Sequence, residues 1–296
     1  MTAPGGLGED IARIAGIPPS TVRGITPVAG GSICASYRVD LTDGRRLFAK
    51  QAPRGDTQML QAEVAGLTWL AEAPAPTASI VGVDATLLVL AYVEPGPATP
   101  AAARQLGRDL AIMHAAGAES FGSPPPQAPQ TGRIGSLELA YGNYRDWAEF
   151  YSELRLIPYM DSARRRGGLT SVEYDVLSEL CRRLPDLAGP PVPVARIHGD
   201  LWAGNVMWAA DGSAHLIDPA AHGGHPEADL AMLSLFGAPH WDAILDGYAT
   251  VQVLPHGWHE RIGLHQLHPL LVHAALFAGG YGRQAATIAA SYLKRD

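Results

Sequence analysis

The sequence predicts an α+β fold of two lobes, a small lobe built on an antiparallel sheet and a larger, mainly helical lobe. Two observations predict it. Short strand patterns occupy much of the first part of the chain, whereas helical periodicity dominates the remainder. Between the two regions, Pro95-Gly96-Pro97 interrupts both patterns and is typical of a link. We therefore expect a first lobe over residues 1–93 and a second over residues 94–296.

Composition sets the broad class of protein. The chain has 296 residues, of which 47% are hydrophobic and 17% charged, as in a globular protein with a substantial core. A net charge of −7 disfavours nucleic acid as the main partner, and no apolar run is long enough to span a membrane. The N-terminal residues lack the layout of a signal peptide, so we expect a cytoplasmic location. Two cysteines, Cys34 and Cys181, make neither a disulfide framework nor a metal site by themselves.

Strands and one helix are predicted in the first lobe. The segments with a strand pattern are 36–41, 46–51, 80–83 and 87–93. Asp43-Gly44 separates the first two segments and predicts a hairpin whose second strand ends near Lys50. After this hairpin, Thr57 begins a segment whose apolar residues recur close to the period of an α-helix.

The second lobe is predicted to be mainly helical, because apolar residues recur at helical spacing in several segments. These segments are 100–116, 143–166, 170–187 and 228–236, and others fill much of the C-terminal quarter. We expect a break at Pro158, since proline lacks the N–H group that an interior helical turn requires.

A further hairpin is predicted within residues 198–220, which read HGDLWAGNVMWAADGSAHLIDPA. Its strands are the apolar runs 206–208 and 215–217, separated by the turn signal Asp211-Gly212. One acid precedes the hairpin, an amide stands at its start, and a second acid follows its end. We expect these three side chains to gather at one edge of the hairpin: Asp200, Asn205 and Asp218.

This set of side chains is the one that phosphoryl transfer requires. Asp200 would orient the acceptor hydroxyl and take its proton, while Asn205 and Asp218 would hold Mg²⁺ beside the phosphates of ATP. The spacing matches the catalytic loop of protein kinases, with His-Gly-Asp for their His-Arg-Asp and Ile-Asp-Pro for their Asp-Phe-Gly. The expected architecture is therefore protein-kinase-like, with ATP between the lobes. The alternative interpretation is three polar residues that cap turns.

Such a site also needs a phosphate loop and a cation from the first lobe. Glycines before the strand at 36–41 would let backbone N–H groups approach phosphate oxygens, although Gly-Gly-Ser is also a common turn. Lys50 ends an apolar strand and fits the lysine that pairs the phosphates, and Glu63 would orient it. A solvated lysine and an exposed helix glutamate are the alternatives. The residues assigned to nucleotide binding are Gly30, Gly31, Ser32, Lys50, Glu63 and Tyr92.

Other polar residues have more than one interpretation. Asp229 fits the start of a helix, where a carboxylate meets free N–H groups, or a buried role that holds the catalytic loop in shape. The histidines from 222 to 273 lack the spacing of zinc ligands, so we expect no metal role for them. Cys34 is either a redox-sensitive thiol or a small residue packed in a hairpin.

With these motifs, the chain resembles the fructosamine kinase (ketosamine 3-kinase) family. The likeness runs from about residue 24 to residue 290. Aminoglycoside and choline kinases share His-Gly-Asp and the later Asp. The form of the loop that contains Trp202, together with IDPA and EADLAM, is found in a much smaller group of proteins. The matching segments are HGDLWAGN at 198–205, IDPA at 217–220, EADLAM at 227–232, GGSI at 30–33 and FAGGY at 277–281.

The resemblance implies ATP-dependent phosphorylation of the 3-hydroxyl group of a ketosamine, carried by a small amine or by a protein lysine. Its phosphorylated product breaks down spontaneously, so the family is associated with the repair of glycated amines. The resemblance implies the same roles that were given above for Asp200, Asn205 and Asp218. Trp202 and His222 are candidate substrate contacts. A hydrophobic plug beside the loop is the alternative for Trp202.

The chain departs from the family pattern beside the expected acceptor pocket. Ala203 replaces a frequent Ser, His222-Gly223 replaces two tyrosines, and Pro226 replaces a basic residue. These changes leave open which sugar is used: ribulosamine, erythrulosamine or fructosamine. The alternative functions are an aminoglycoside- or choline-type phosphotransferase and a catalytically dead nucleotide-binding module. The oligomeric state also stays open, a monomer included.

Overall fold

The structure is a computed structural model that describes residues 6–28, 33–53, 56, 58–73 and 75–294. Its two-lobed α+β architecture confirms the predicted fold class. The elements of the first lobe are α1 Leu7–Ala15, β1 Val22–Val28, β2 Ala35–Leu41, β3 Arg46–Gln51, α2 Gln58–Ala71, β4 Ile80–Val83 and β5 Leu87–Ala91.

Within the described residues the first lobe contains a five-stranded sheet in the order β1-β2-β3-β5-β4, antiparallel throughout. The predicted hairpin around Asp43-Gly44 is confirmed, and Ser36 lies opposite Lys50. Successive side chains of β5 point to opposite faces of the sheet. Leu87 and Val89 pack against α1, and Leu88 and Leu90 pack against α2, so a helix covers each face. The helix predicted after residue 57 is confirmed as α2, whereas α1 and β1 were not predicted.

The second lobe is mainly helical. Its elements are α3 Pro100–Ala115, β6 Thr131–Ile134, β7 Leu137–Ala140, α4 Trp147–Phe150, a π-helical segment Tyr151–Leu156, α5 Ile157–Arg165, α6 Ser171–Leu187, β8 Ala195–Ile197, β9 Val206–Trp208, β10 Ala214–Leu216, β11 His222–Gly224, α7 Glu227–Leu235, α8 Trp241–Ala249, α9 Trp258–Phe277 and α10 Tyr281–Leu293. Among the helices of the described ranges, none has the length and apolar character to cross a membrane.

The predicted break at Pro158 is wrong in position. The irregularity lies just before it, in the π-helical segment 151–156, and helical backbone continues through the proline. Pro158 occupies the first turn of α5, where its missing N–H removes little hydrogen bonding. Elsewhere the predicted helices are confirmed, and a reciprocal hydrogen-bonded cap between Thr170 and Glu173 begins α6 where the sequence indicated.

Candidate active site

The catalytic segment runs between two strand pairs that fix both of its ends. The predicted hairpin is confirmed as β9–β10, with Ala214 opposite Trp208. β8 pairs with β11, and this pairing holds the chain just before His198 next to the chain just after Asp218. Asp200 follows β8, Asn205 precedes β9 and Asp218 follows β10, so all three enter one cleft between the lobes.

Asn205 is tied to Asp200. Its Nδ2 donates to the backbone carbonyl of Asp200 at 2.8 Å and to the carboxylate Oδ2 at 3.3 Å. Using the amide nitrogen in this way leaves the side-chain oxygen of Asn205 for other partners. The preceding Gly199 has a φ of +79°, and a Cβ at that position would meet the carbonyl of Ala220. A glycine is therefore required immediately before Asp200.

His198 links the two acidic segments. Its Nε2–H donates to the carbonyl of Ile217 at 3.0 Å, and its Nδ1 accepts from the backbone N–H of Asp200 at 3.3 Å. Burial lowers the pKa of this imidazole, more than the nearby carboxylate of Asp229 raises it. A neutral ring with one donor and one acceptor satisfies both contacts, so His198 acts as a connector between Asp200 and the segment before Asp218.

Asp229, in the first turn of α7, lies beneath the catalytic loop. Its carboxylate accepts from the backbone N–H groups of His198 at 2.7 Å and Gly199 at 2.9 Å, and contacts His114 Nε2 at 3.2 Å. Burial alone would raise the pKa of Asp229, but these hydrogen bonds outweigh it and lower the pKa. Of the two roles that the sequence left open, the structure favours a buried carboxylate that holds the loop.

Lys50 and Glu63 form a buried ion pair below the sheet. The Lys50 Nζ lies 2.9 and 2.8 Å from the two Glu63 oxygens and also contacts the Asp218 carboxylate. Burial would lower the pKa of Lys50, but the two carboxylates raise it well above its usual range. Neither Lys50 nor Glu63 is a solvated side chain. Asp218 has a left-handed backbone with a φ of +54°, which is uncommon outside glycine and typical of constrained sites.

Electrostatics in the cleft favour a divalent cation. The carboxylates of Glu63 and Asp218 contact the ammonium group of Lys50, and the carboxylate of Asp200 lines the same cleft. The guanidinium of Arg133, which also lines the cleft, is paired with Asp56. Burial, together with the charge of Asp218, raises the pKa of Asp200 to about 7. The excess of negative charge and the hard oxygen donors of Asn205 and Asp218 fit a magnesium ion.

The cleft has a volume of about 200 Å³. Trp202 lines it with 41% of its surface exposed, and its ring contacts Phe236 edge to face. His222 is not brought together with these residues, because it is buried behind the loop, where its Nδ1–H donates to the carbonyl of Ala220. Tyr92 follows β5 and is half-buried, outside the lining of the cleft. Gly30, Gly31 and Ser32 lie outside the described residues.

One charged residue of the cleft was not predicted from the sequence. Arg133 lies on the β6–β7 hairpin, and its guanidinium is 3.3 Å from the carboxylate of Asp56, just before α2. This ion pair joins the two lobes at the mouth of the cleft. The sequence does contain a turn signal for this hairpin, Gly135-Ser136, but each strand beside it has only four residues. Strands this short give a weak pattern.

Comparison with known proteins identifies relatives of similar length. The sequence model of the family described as fructosamine kinase matches residues 13–295. A protein of Synechocystis sp. named as a probable ketoamine kinase is 32% identical, covering 94% of this chain and 93% of its own. A chloroplastic protein-ribulosamine 3-kinase of Oryza sativa subsp. indica is 29% identical, covering 97% of this chain and 85% of its own.

Two solved structures are similar to this chain at different levels of identity. A crystal structure from Thermobifida fusca, named as a candidate fructosamine-3-kinase, has a TM-score of 0.90 and 41% identity over 99% of this chain and 100% of its own. The choline kinase LicA of Streptococcus pneumoniae has a TM-score of 0.65 at 16% identity, over 97% of this chain and 98% of its own. This second likeness concerns the fold alone.

Proposed function

The chain belongs to the fructosamine kinase family, and from this membership we propose that it transfers the γ-phosphoryl group of ATP to the 3-hydroxyl group of a ketosamine. One observation supports assigning this reaction to particular residues. Lys50, Glu63 and Asp218 are in mutual contact in the same cleft as Asp200 and Asn205, although they come from both lobes. A catalytically dead module would lack one of these groups.

Asp200 is proposed as the catalytic base. As the substrate oxygen forms its bond to the γ-phosphorus, the hydroxyl proton passes to the Asp200 carboxylate and the bond to the leaving ADP oxygen breaks. A pKa of about 7 suits this role, because a substantial fraction of the carboxylate is ionised at neutral pH and is more basic than an ordinary aspartate. The hydrogen bond from Asn205 orients the carboxylate toward the cleft.

Lys50 is proposed to bind the nucleotide phosphates, with Glu63 fixing its position by two hydrogen bonds. Asn205 and Asp218 would hold Mg²⁺, which neutralises phosphate charge when it is bound. The contact between Lys50 and Asp218 supports this assignment, because the proposed phosphate-binding ammonium group lies next to a proposed metal ligand and both could act on one triphosphate.

Trp202 is proposed to contact the acceptor. Its exposed ring lies in the cleft beside Asp200 and can pack on the apolar face of a sugar or on the ammonium group of the amine. Small molecules and glycated lysines both present this combination. The choice among ribulosamine, erythrulosamine and fructosamine depends on the pocket beyond the ring.

The test is ATP consumption measured with ribulose-, erythrulose- and fructose-derived lysine, with kanamycin as a comparison acceptor. We expect turnover with at least one ketosamine and 3-phosphorylation of its sugar. The Asp200→Asn variant should lose activity by about 10²–10⁴-fold while it still binds ATP. Turnover with kanamycin alone would contradict the proposed acceptor class, and full turnover by Asp200→Asn would contradict the proposed base.

A further inference from the structure

Arg155, in the π-helical segment, is a buried guanidinium group that lacks a countercharge. The residue is 1% exposed, and among the described residues no carboxylate lies within ion-pair distance of it. Its Nη1 donates to the carbonyls of Ala140 at 2.9 Å and Leu154 at 3.1 Å, while Nε and Nη2 have no hydrogen-bond partner in the described part of the chain. The guanidinium also lies over the ring of Phe150, 4.7 Å from its centroid. Burying a charge in this state is costly.

A small cavity adjoins this guanidinium. It has a volume of about 30 Å³, which is room for one or two water-sized particles. Arg155, His222 and His268 line it, and His268 Nε2 is another buried nitrogen without a partner among the described residues. Burial and then the charge of Arg155 lower the pKa values of both histidines, so neither ring contributes further charge. The cavity therefore has hydrogen-bond donors and one cation without an ion-pair partner within the described ranges, Arg155. The carboxylate of Asp229 also lines it, but that group is already bound by the backbone N–H groups of His198 and Gly199 and by His114.

A second polar cluster adjoins this cavity, and its charges are balanced internally. His225, Glu227 and His265 converge within 4.8 Å, as metal ligands can, but Arg261 already neutralises Glu227 at 3.0 Å. A divalent cation there would add charge to an interior that already contains the unpaired Arg155. A negative ion would instead lower the electrostatic cost, and the size of the cavity excludes oxyanions as large as phosphate.

We propose that this cavity binds a single monovalent anion of halide size, held by the guanidinium of Arg155 and the Nε2–H of His268. Gly199 and Asp229 line the same cavity, so the ion lies directly behind the loop that carries Asp200. The site is separate from the nucleotide cleft. Its occupation does not depend on the proposed kinase activity and can be measured without any substrate.

The direct test is crystallography with bromide, a halide that can be located by its anomalous scattering. The full-length protein would be purified and crystallised in sodium bromide throughout, so that a buried ion need not diffuse into a finished crystal. We expect an anomalous peak within hydrogen-bond distance of Arg155 Nε or Nη2. A cavity without such a peak would overturn the proposal and leave water as its content.

A solution test uses thermal unfolding at constant ionic strength, with sodium bromide replacing sodium gluconate, whose anion is too large for the cavity. A ligand that binds only the folded state raises the Tm as its concentration increases. We expect this rise in the natural protein and in the control Arg182→Met, whose arginine is 72% exposed, but not in Arg155→Met. An equal rise in all three proteins would contradict the site. If Arg155→Met does not fold, the anomalous peak in the natural protein decides.

Discussion

Asp229 accepts a hydrogen bond of 2.7 Å from the backbone N–H of His198, so a helix residue thirty-one positions later fixes the start of the catalytic loop. The same carboxylate also takes the N–H of Gly199 at 2.9 Å. Two backbone donors next to Asp200 are thereby satisfied by a single buried anion. Asp229 is not among the residues that line the cleft around Asp200, so we infer that it is a positioning residue.

Replacing Asp229 by Asn tests whether this carboxylate positions the catalytic loop without binding the nucleotide. The amide can accept only through its oxygen, so one loop N–H is left against an NH₂ group and the loop must shift. We expect kcat to fall by about 10²-fold with little change in the KM for ATP. Unfolding free energy should fall by about 1–3 kcal/mol. The exposed Asp242→Asn change on α8 is the control, and unchanged kcat in Asp229→Asn would contradict the role.

Lys50 can be tested with a control that the chain itself offers, because it has only two lysines, Lys50 and Lys294. Lys50→Met keeps much of the side-chain volume but leaves Glu63 and Asp218 without their cation. We expect weaker ATP binding by calorimetry and a loss of kcat/KM of about 10²-fold or more. Lys294→Met, at the exposed end of α10, should behave as the natural protein. Equal ATP affinity in both variants would remove Lys50 from the nucleotide site.

The packing of α3 against α8 depends on two glycines. A Cβ at Gly107 would meet the carbonyl of Ile244, and a Cβ at Gly247 would meet the carbonyl of Arg104. Backbone atoms cannot move aside as a flexible side chain can, so the helices must separate. We expect Gly107→Ala to lower the unfolding free energy by about 1–3 kcal/mol in urea denaturation. Gly280→Ala, where a Cβ would meet nothing within 4 Å, is the matched control, and equal stability of the two variants would contradict this packing.

Local signals explain what the sequence predicted well. The hairpins around Asp43-Gly44 and Asp211-Gly212, and most helices, depend on turns and periodicity within a few residues. Asn205 and Asp218 lie at the ends of the predicted hairpin strands and Asp200 shortly precedes the hairpin, so their convergence was expected from the same local pattern. The order of the motifs along the chain then placed Lys50 and Glu63 in the first lobe.

Long-range relationships could not be predicted in this way. His114 contacts Asp229 across 115 positions, and the pairing of β8 with β11 involves strands of only three residues. Such short strands carry no periodicity, and their partners are decided by packing of the whole lobe. Arg133 was missed because the two strands of its hairpin have only four residues each. The burial of His222 likewise depends on that pairing, whereas its position in the motif suggested the acceptor pocket.

Buried histidines should make the fold sensitive to acid. Burial, followed by the charge of Arg155, lowers the pKa of His268 far below the ordinary value of 6.5, so its folded-state pKa lies below its unfolded-state pKa. As the pH falls below about 6.5, the unfolded chain gains a proton there and the folded protein does not. The stability present above that pH is therefore lost progressively on acidification, with a slope of about 1.4 kcal/mol per pH unit for each such histidine.

His268→Phe should reduce this pH dependence by up to one proton, because a ring of similar shape remains against Tyr159 but cannot titrate. The measurement is the unfolding free energy from urea denaturation between about pH 5 and 8, the range over which histidine changes charge. His256→Phe, at an exposed position, is the control and should keep the slope of the natural protein. The slope, rather than the absolute stability, is the readout, since either substitution can shift the whole curve. A slope that His268→Phe leaves unchanged would show that this ring titrates alike in the folded and unfolded states.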